Sequence, residues 1–478
     1  MSKQGYIPKE QRKRILLLCD DIRLHSGIAT MGKEFVIGTA HHYNWVNLGG
    51  AINHPEQGQR FDLSPATNEL NGIEDADVQV MPISGYGNPD LIRQIIKHEK
   101  IDAILLFTDP RYWVWLFQIE NEIRKKIPIM YLNIWDNYPA PKYNESYYES
   151  CDCLMGISKQ TVNINKLVLG DKAKNKVIGY VPHGINHERF FKIDANHEKF
   201  KDLLLYKKEL FGNKTYKYVV FYNARNIRRK SVPDLIAGYK VFCDNIGPEK
   251  SKECILVLHT QVRDENGTDL EAVYDYICDD YVNVMIYDKM LSTEQLNYLY
   301  NIADVTCLIS SNEGWGLSLT ESMMAGTMII GNVTGGMQDQ MRFVRDGKWM
   351  EFDDEFCSNH FGTYKEHGEW VEPVFPNNMS LVGSIPTPYI WDDRCDFRDI
   401  AKAIENVYNL NPEEREEKGL KGMEWVRSEE SMMTAKAMSD NVIKHMDECF
   451  EKFEPRPTLE FIKIEDLKKE KIKHKLIY

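Results

Sequence analysis

The chain has 478 residues, more than one ordinary hydrophobic core organises, which points to two domains. Its 43% apolar and 27% charged residues suit a globular protein and argue against extended disorder. The net charge of −13 opposes binding to nucleic acid or anionic membrane, so either would need a local basic patch.

The first apolar run, Ile15–Cys19, is far shorter than a signal-peptide core or a membrane span. No other run is long enough either, so the sequence predicts a soluble protein, at most peripheral on a membrane. Strand candidates follow in order: Arg14–Asp20, Trp45–Leu48, Val78–Pro82, Ala103–Phe107, Pro128–Ile134, Cys153–Ile157 and Val177–Val181. Amphipathic stretches such as Thr30–His41 and Pro89–Glu99 lie between them. The alternation predicts βαβ units, a parallel sheet and ligand binding beyond the strands' carboxyl ends. After Pro182-His183-Gly184 a second series begins: Tyr218–Tyr222, Cys254–His259, Val282–Ile286, Val305–Ile309 and Met328–Gly331, with helical Val232–Cys243 and Ser292–Tyr300. Lys348–Cys395, rich in Asn, Gly, Pro and aromatics, reads as an irregular excursion. Helix resumes at Asp399–Asn409, Pro412–Ser428 and Ser431–Phe453, and the basic end "EDLKKEKIKHKLIY" reads as a frayed helix. The expected division is 1–190, 191–430, and C-terminal helices over 431–478 that cross back to the first domain.

The ten cysteines are scattered, mostly in apolar runs, which predicts reduced core thiols and a cytoplasmic location. Cys151-Asp152-Cys153 has no second pair or histidine at zinc-ligand spacing, so no metal is expected there. Asp75-Ala76-Asp77 matches a metal-holding D-x-D only literally. A G-x-x-x-x-G-K-[ST] phosphate loop is absent, and "GYGNPD" lacks the third glycine of a dinucleotide fingerprint.

Ser310–Ile330 reads "SSNEGWGLSLTESMMAGTMII", a strand-to-helix turn flanked by Glu313 and Glu321. Glycines let backbone N–H groups approach an anion, and the helix start adds about half a positive charge. A diphosphate fits such a turn. Taken alone, Glu321 is most simply a first-turn glutamate favoured by the helix dipole, and Glu313 a solvated loop charge. The stretch comes with Ala303-Asp304 before it and Gly335-Gly336 after the next strand. That combination resembles the E-x7-E signature of retaining GT-B glycosyltransferases, the group-1 class related to glycogen and sucrose synthases.

The resemblance spans both domains and implies a GT-B architecture, two doubly wound Rossmann-like domains facing a central cleft. Arg225 and Lys230 in "YNARNIRRKSVPDL" match the family's G-R-L-x-x-x-K-G pair, which clamps the donor diphosphate; Arg228 and Arg229 receive no role. "VPHGINHERFF" matches the segment leading into the interdomain linker. Gly27 stands at the glycine loop that opens the first helix, with Ser26 in place of a second glycine. Asp339 replaces the glutamate common after Gly335-Gly336. Where many members carry His-Asp, this chain has Trp135-Asp136. Asp136 or Asp109 would orient the acceptor hydroxyl or share its proton, unless both merely brace loops.

By this resemblance Glu313, Arg225, Lys230 and Asp136 are the catalytic candidates. Gly27, Gly314, Trp315, Gly316, Leu317, Glu321, Gly335 and Gly336 would bind the donor, with Glu313 on the sugar and Glu321 on the ribose. Asp109 and Trp135 would meet the acceptor. The implied reaction is metal-independent, retaining transfer from a nucleoside-diphosphate sugar to an acceptor hydroxyl, with no cofactor. The acceptor stays open between glycan, lipid-linked glycan, protein and modified DNA base, and the oligomeric state is open too. The basic groups Arg12–Arg14 and Lys468–Lys475 favour the DNA alternative, and the net charge opposes it. A catalytically silent sugar-nucleotide-binding protein is the third alternative.

Overall fold

A computed structural model describes residues 5–353 and 359–457. Strand Lys13–Asp20 lies at the centre of the first sheet, and its Ile15–Cys19 core is shielded on both faces. A strand covered on both faces reads as a continuous apolar run, as "ILLLC" does. Among the described residues the first sheet runs in the order 61–62, 78–84, 43–51, 13–20, 103–106, 129–133, 153–156, 177–180. All pairings are parallel except that of the short strand 61–62. The second sheet runs 284–287, 254–259, 218–223, 305–308, 328–332, 371–374, all parallel. Strand order reverses beside the first strand of each sheet, and there the diverging loops open a crevice.

Helix Gly27–Thr39 starts at Ser26, whose Oγ accepts a hydrogen bond from the Ala29 N–H at 3.0 Å. The last described helix, Ala435–Lys452, lies against it and the end of the first sheet. A Cβ on Gly38 would stand 1.9 Å from Ser439 Oγ, so glycine permits the close helix crossing. Asp447 accepts from the Tyr43 hydroxyl at 2.6 Å and sits 2.9 Å from His42 Nε2. Beyond it the Arg456 N–H donates to Arg124 O at 2.8 Å, and the basic segment expected to be helical lies outside the described residues.

The 348–395 excursion holds more order than its composition suggests. Val371–Val374 adds an edge strand to the second sheet, pairing with Ile329–Asn332. Asn378–Ser384 and Thr387–Arg394 then form an antiparallel hairpin that leans over the cleft. Among the described residues no helix is long and apolar enough to cross a membrane.

Candidate active site in the interdomain cleft

The turn at 313–316 follows strand Val305–Leu308 and opens helix Leu317–Met324. Gly316 starts that helix with φ of 87°, a conformation costly for any residue with a Cβ. A Cβ on Gly335 would meet Glu313 O at 2.0 Å, and one on Gly336 would meet Gly314 O at 2.0 Å. The two glycine loops are therefore packed backbone to backbone. Gly314 also faces the first domain, where a Cβ would stand 2.9 Å from Ile134 O. A Cβ on Gly27 would be 3.5 Å from Leu317 Cδ1, so two helix starts meet across the cleft. Their partial positive charges converge where an anion would lie.

Glu313 is buried, and its Oε2 accepts from Lys230 Nζ, from Arg229 Nη1 at 3.1 Å and from Ser310 Oγ at 3.1 Å. Burial opposes its charge, but Arg229 and Lys230 outweigh it and hold the carboxyl down at about 2. Burial lowers the Lys230 pKa, with Glu313 opposing. Among the described residues no cation pairs with Glu321. Its Oε2 accepts from the Tyr300 hydroxyl at 2.6 Å, and burial pushes its carboxyl up to about 7. Tyr300 in turn accepts from Asn223 Nδ2 at 3.0 Å, which ties Glu321 to the end of strand Tyr218–Asn223. Across the cleft, burial raises the Asp136 carboxyl to about 6 against the pull of Arg229. Among the described residues no side chain donates a hydrogen bond to it.

The structure brings together Glu313, Lys230, Asp136, Gly27, Gly314, Gly316, Leu317, Gly335 and Gly336, with Glu321 one helical turn beyond. Arg225 stands apart: it is exposed and paired with Asp264 at 2.6 Å. Arg229, given no role above, takes the place beside Glu313, because the turn Arg228–Lys230 directs residues 229 and 230 into the same cluster. Only its adjacency to Lys230 signals this in the sequence. Trp315 points inward, its Nε1 donating to Thr320 Oγ1 at 2.9 Å, so it can offer a ligand only backbone. Asp339 reaches across the cleft, where its Oδ2 accepts from the Lys159 N–H at 2.9 Å and the Tyr180 hydroxyl at 3.0 Å.

Beside the cluster lies a cavity of about 480 Å³. Asp109, Trp135, Asp136 and Arg229 line one side, and the hairpin lines the other through Val382, Ser384, Thr387 and Ile390. Asp109 is held by Arg111, with Nε 2.8 Å from its Oδ1, and caps the turn 110–113. Sequence reasoning missed the hairpin wall. Of the D-x-D match, Asp75 is bound to Arg12 at 2.5 Å and Asp77 to Arg14 at 2.5 Å. Those pairs also occupy two of the three residues in the N-terminal basic group that favoured DNA.

Two sheets of the same strand order, with glycine loops facing across a crevice, define the GT-B fold. Residues 280–354 match the family model described as glycosyl transferases group 1, the group named in the resemblance drawn from the sequence. The mannosylfructose-phosphate synthase of Agrobacterium fabrum is 27% identical over 222 residues, 45% of this chain. That match spans 44% of the relative, less than half its length. Among solved structures, the sucrose-phosphate synthase of Thermosynechococcus elongatus has a TM-score of 0.63 at 14% identity, covering 92% of this chain and 100% of that one. The Anabaena protein HepE, solved with UDP-glucose, has a TM-score of 0.60 at 11% identity, covering 91% and 99%. At these identities the likeness to solved structures concerns the fold.

Proposed function

We propose that this protein is a retaining, metal-independent glycosyltransferase that moves a sugar from a nucleoside-diphosphate sugar to an acceptor hydroxyl. One observation carries the reading: Glu313 is held ionised between Lys230 and Arg229, where the helix starts at Gly27 and Leu317 converge. A nucleoside diphosphate placed there gains the helix starts and the Lys230 ammonium as it becomes the leaving group. Glu321, anchored by Tyr300, accepts the ribose diol, and Glu313 holds hydroxyls of the donor sugar. Arg225 joins the diphosphate only by leaving Asp264. Asp136 faces the acceptor cavity and orients the attacking hydroxyl, whose proton passes to a donor phosphate oxygen. The protein's part is positioning and electrostatic stabilisation inside a closing cleft. HepE's complex with UDP-glucose makes UDP-sugars the first donors to try.

The test is the anomeric configuration of the product, read by proton NMR, with and without EDTA. The reading expects the donor's configuration retained and no loss of rate with EDTA. An inverted product or a chelator-sensitive rate contradicts it. A protein that binds nucleotide sugars and transfers nothing to any acceptor class is the silent binding protein instead.

A further inference from the structure

The hairpin over the cleft is fastened to both domains. On the second-domain side Asn312 Nδ2 donates to Asp392 Oδ1 at 2.8 Å, and the Asp393 N–H donates to Ser311 O at 2.9 Å. Thr334 Oγ1 and Asn359 Nδ2 donate to the buried Asp393 carboxylate at 2.6 and 2.8 Å. On the first-domain side the Trp391 N–H donates to Tyr138 O at 2.8 Å, and Asn137 Nδ2 donates to Trp391 O at 2.7 Å. Tyr143 donates to Tyr389 O at 3.1 Å, and Arg111 donates to Thr387 Oγ1. A wall held from both sides keeps its shape when a ligand enters.

The cavity behind this wall is lined by carboxylates, the Arg111 and Arg229 guanidinium groups, amides, hydroxyls, aliphatic side chains and the Trp135 indole. Its size falls within the range of small-molecule sites, roughly 300–1,000 Å³. The charges around it are matched. Arg111 is paired with Asp109, and Arg229 with Glu313. Arg229 and Lys230 share the one Glu313 carboxylate, so the second cation offsets Asp136, and a donor diphosphate beside Lys230 turns the balance negative. With the donor bound, an anionic acceptor would therefore meet repulsion at short range. A neutral polyol finds donors and acceptors on both walls and an indole face for its C–H groups.

Resting on the transfer reading, we propose that this pocket selects a compact, neutral, polyhydroxylated acceptor of mono- or disaccharide size. Phosphorylated sugars and nucleic acid are rejected, and the hairpin 378–394 sets that choice. The experiment measures calorimetric binding of neutral mono- and disaccharides, their phosphate esters and duplex DNA, to protein with and without saturating UDP. Wild type is compared with Val382→Lys and with Ser384→Lys, which places the same charge at an exposed position if the first variant folds poorly. The neutral sugar should bind wild type at least tenfold more tightly than its phosphate ester. Each lysine should narrow that ratio at least fivefold and leave UDP affinity within twofold. Phosphate esters or DNA that bind wild type as tightly as neutral sugars overturn the proposal. So does a lysine variant of unchanged melting temperature that leaves the ratio unmoved, or a wild-type protein that binds no sugar. If UDP fails to bind while the sugar preference appears as described, the donor-site reading fails and the pocket assignment stands.

Discussion

The two sheets share one strand order, yet their carboxyl edges are built differently. At the first, the strand Lys13–Asp20 ends in carboxylates matched within their own domain. Asp20 accepts from Ser26 Oγ at 2.7 Å and Tyr86 OH at 2.8 Å, and Asp21 from Arg23 and from His54 at 3.0 Å. At the second, Glu313 gathers two cations into a small volume, and Glu321 is left with one tyrosine hydroxyl. The first edge is braced within its own domain, and the second concentrates charge. Asp136 is the exception, a first-domain carboxylate placed against the second domain's charges. The strand order puts both edges in reach of one cleft; the loop residues alone make them differ.

The sharpest way to break this contrast is to exchange the treatment of the two edges. Glu313→Gln and Lys230→Ala should each lower kcat by roughly 10²–10³-fold, the scale of losing one preorganised charge contact. Stripping one partner from a buried pair also costs about 3–5 kcal/mol, read as a lower melting temperature in the empty protein. Asp20→Asn, at the braced edge, should change kcat less than tenfold. Equal losses at both edges would erase the distinction.

Asp136 gives the next largest effect. Its carboxyl is raised to about 6, so below that pH it is protonated, and kcat/KM should fall about tenfold per pH unit. Asp136→Asn should lower activity and remove that acid limb, which a pH–rate profile of both proteins reads directly.

Glu321 sharpens the contrast further. In the empty protein its carboxyl is raised to about 7, and in the proposed complex the ionised form would accept the ribose hydroxyls. Nucleotide binding near pH 7 should then release protons, so the calorimetric enthalpy should vary with the buffer's ionisation enthalpy. In Glu321→Gln that dependence should shrink.

The smallest effect concerns the bridge between the domains. Burial raises Asp339 to about 7, against about 3.9 in an unfolded chain. A raised carboxyl contributes stability that is full below pH 4 and lost as pH rises through 7. Asp339→Asn keeps the acceptor for Lys159 N–H and should flatten the fall in melting temperature between pH 5 and 8 by a few degrees.

Much of this architecture was readable because buried parallel strands are continuous apolar runs, as in "ILLLC" and "CILVL". The hairpin was not. Its strand residues Met379, Leu381, Ile390 and Trp391 are interspersed with Gly383, Pro386 and Pro388, and its order comes from bonds to both domains that no local pattern encodes. Val371–Val374 was hidden by Glu372 and Pro373 inside a short edge strand. At the site, the glycines were legible because their backbones touch, whereas the exchange of Arg225 for Arg229 depends on side-chain direction out of one tight turn. Trp315 looked like a ligand contact in "EGWGL" and is a buried packing residue.

The central claim is that a nucleotide sugar binds in this cleft with its ribose on Glu321. The most direct measurement is the melting temperature of wild type and Glu321→Ala with saturating UDP-, GDP-, ADP- and dTDP-sugars. A ligand at 100 times its Kd stabilises the native state by about 2.7 kcal/mol. The account predicts a clear rise for at least one nucleotide sugar in wild type and its loss in Glu321→Ala. No rise with any of them, or the same rise in both proteins, would contradict it.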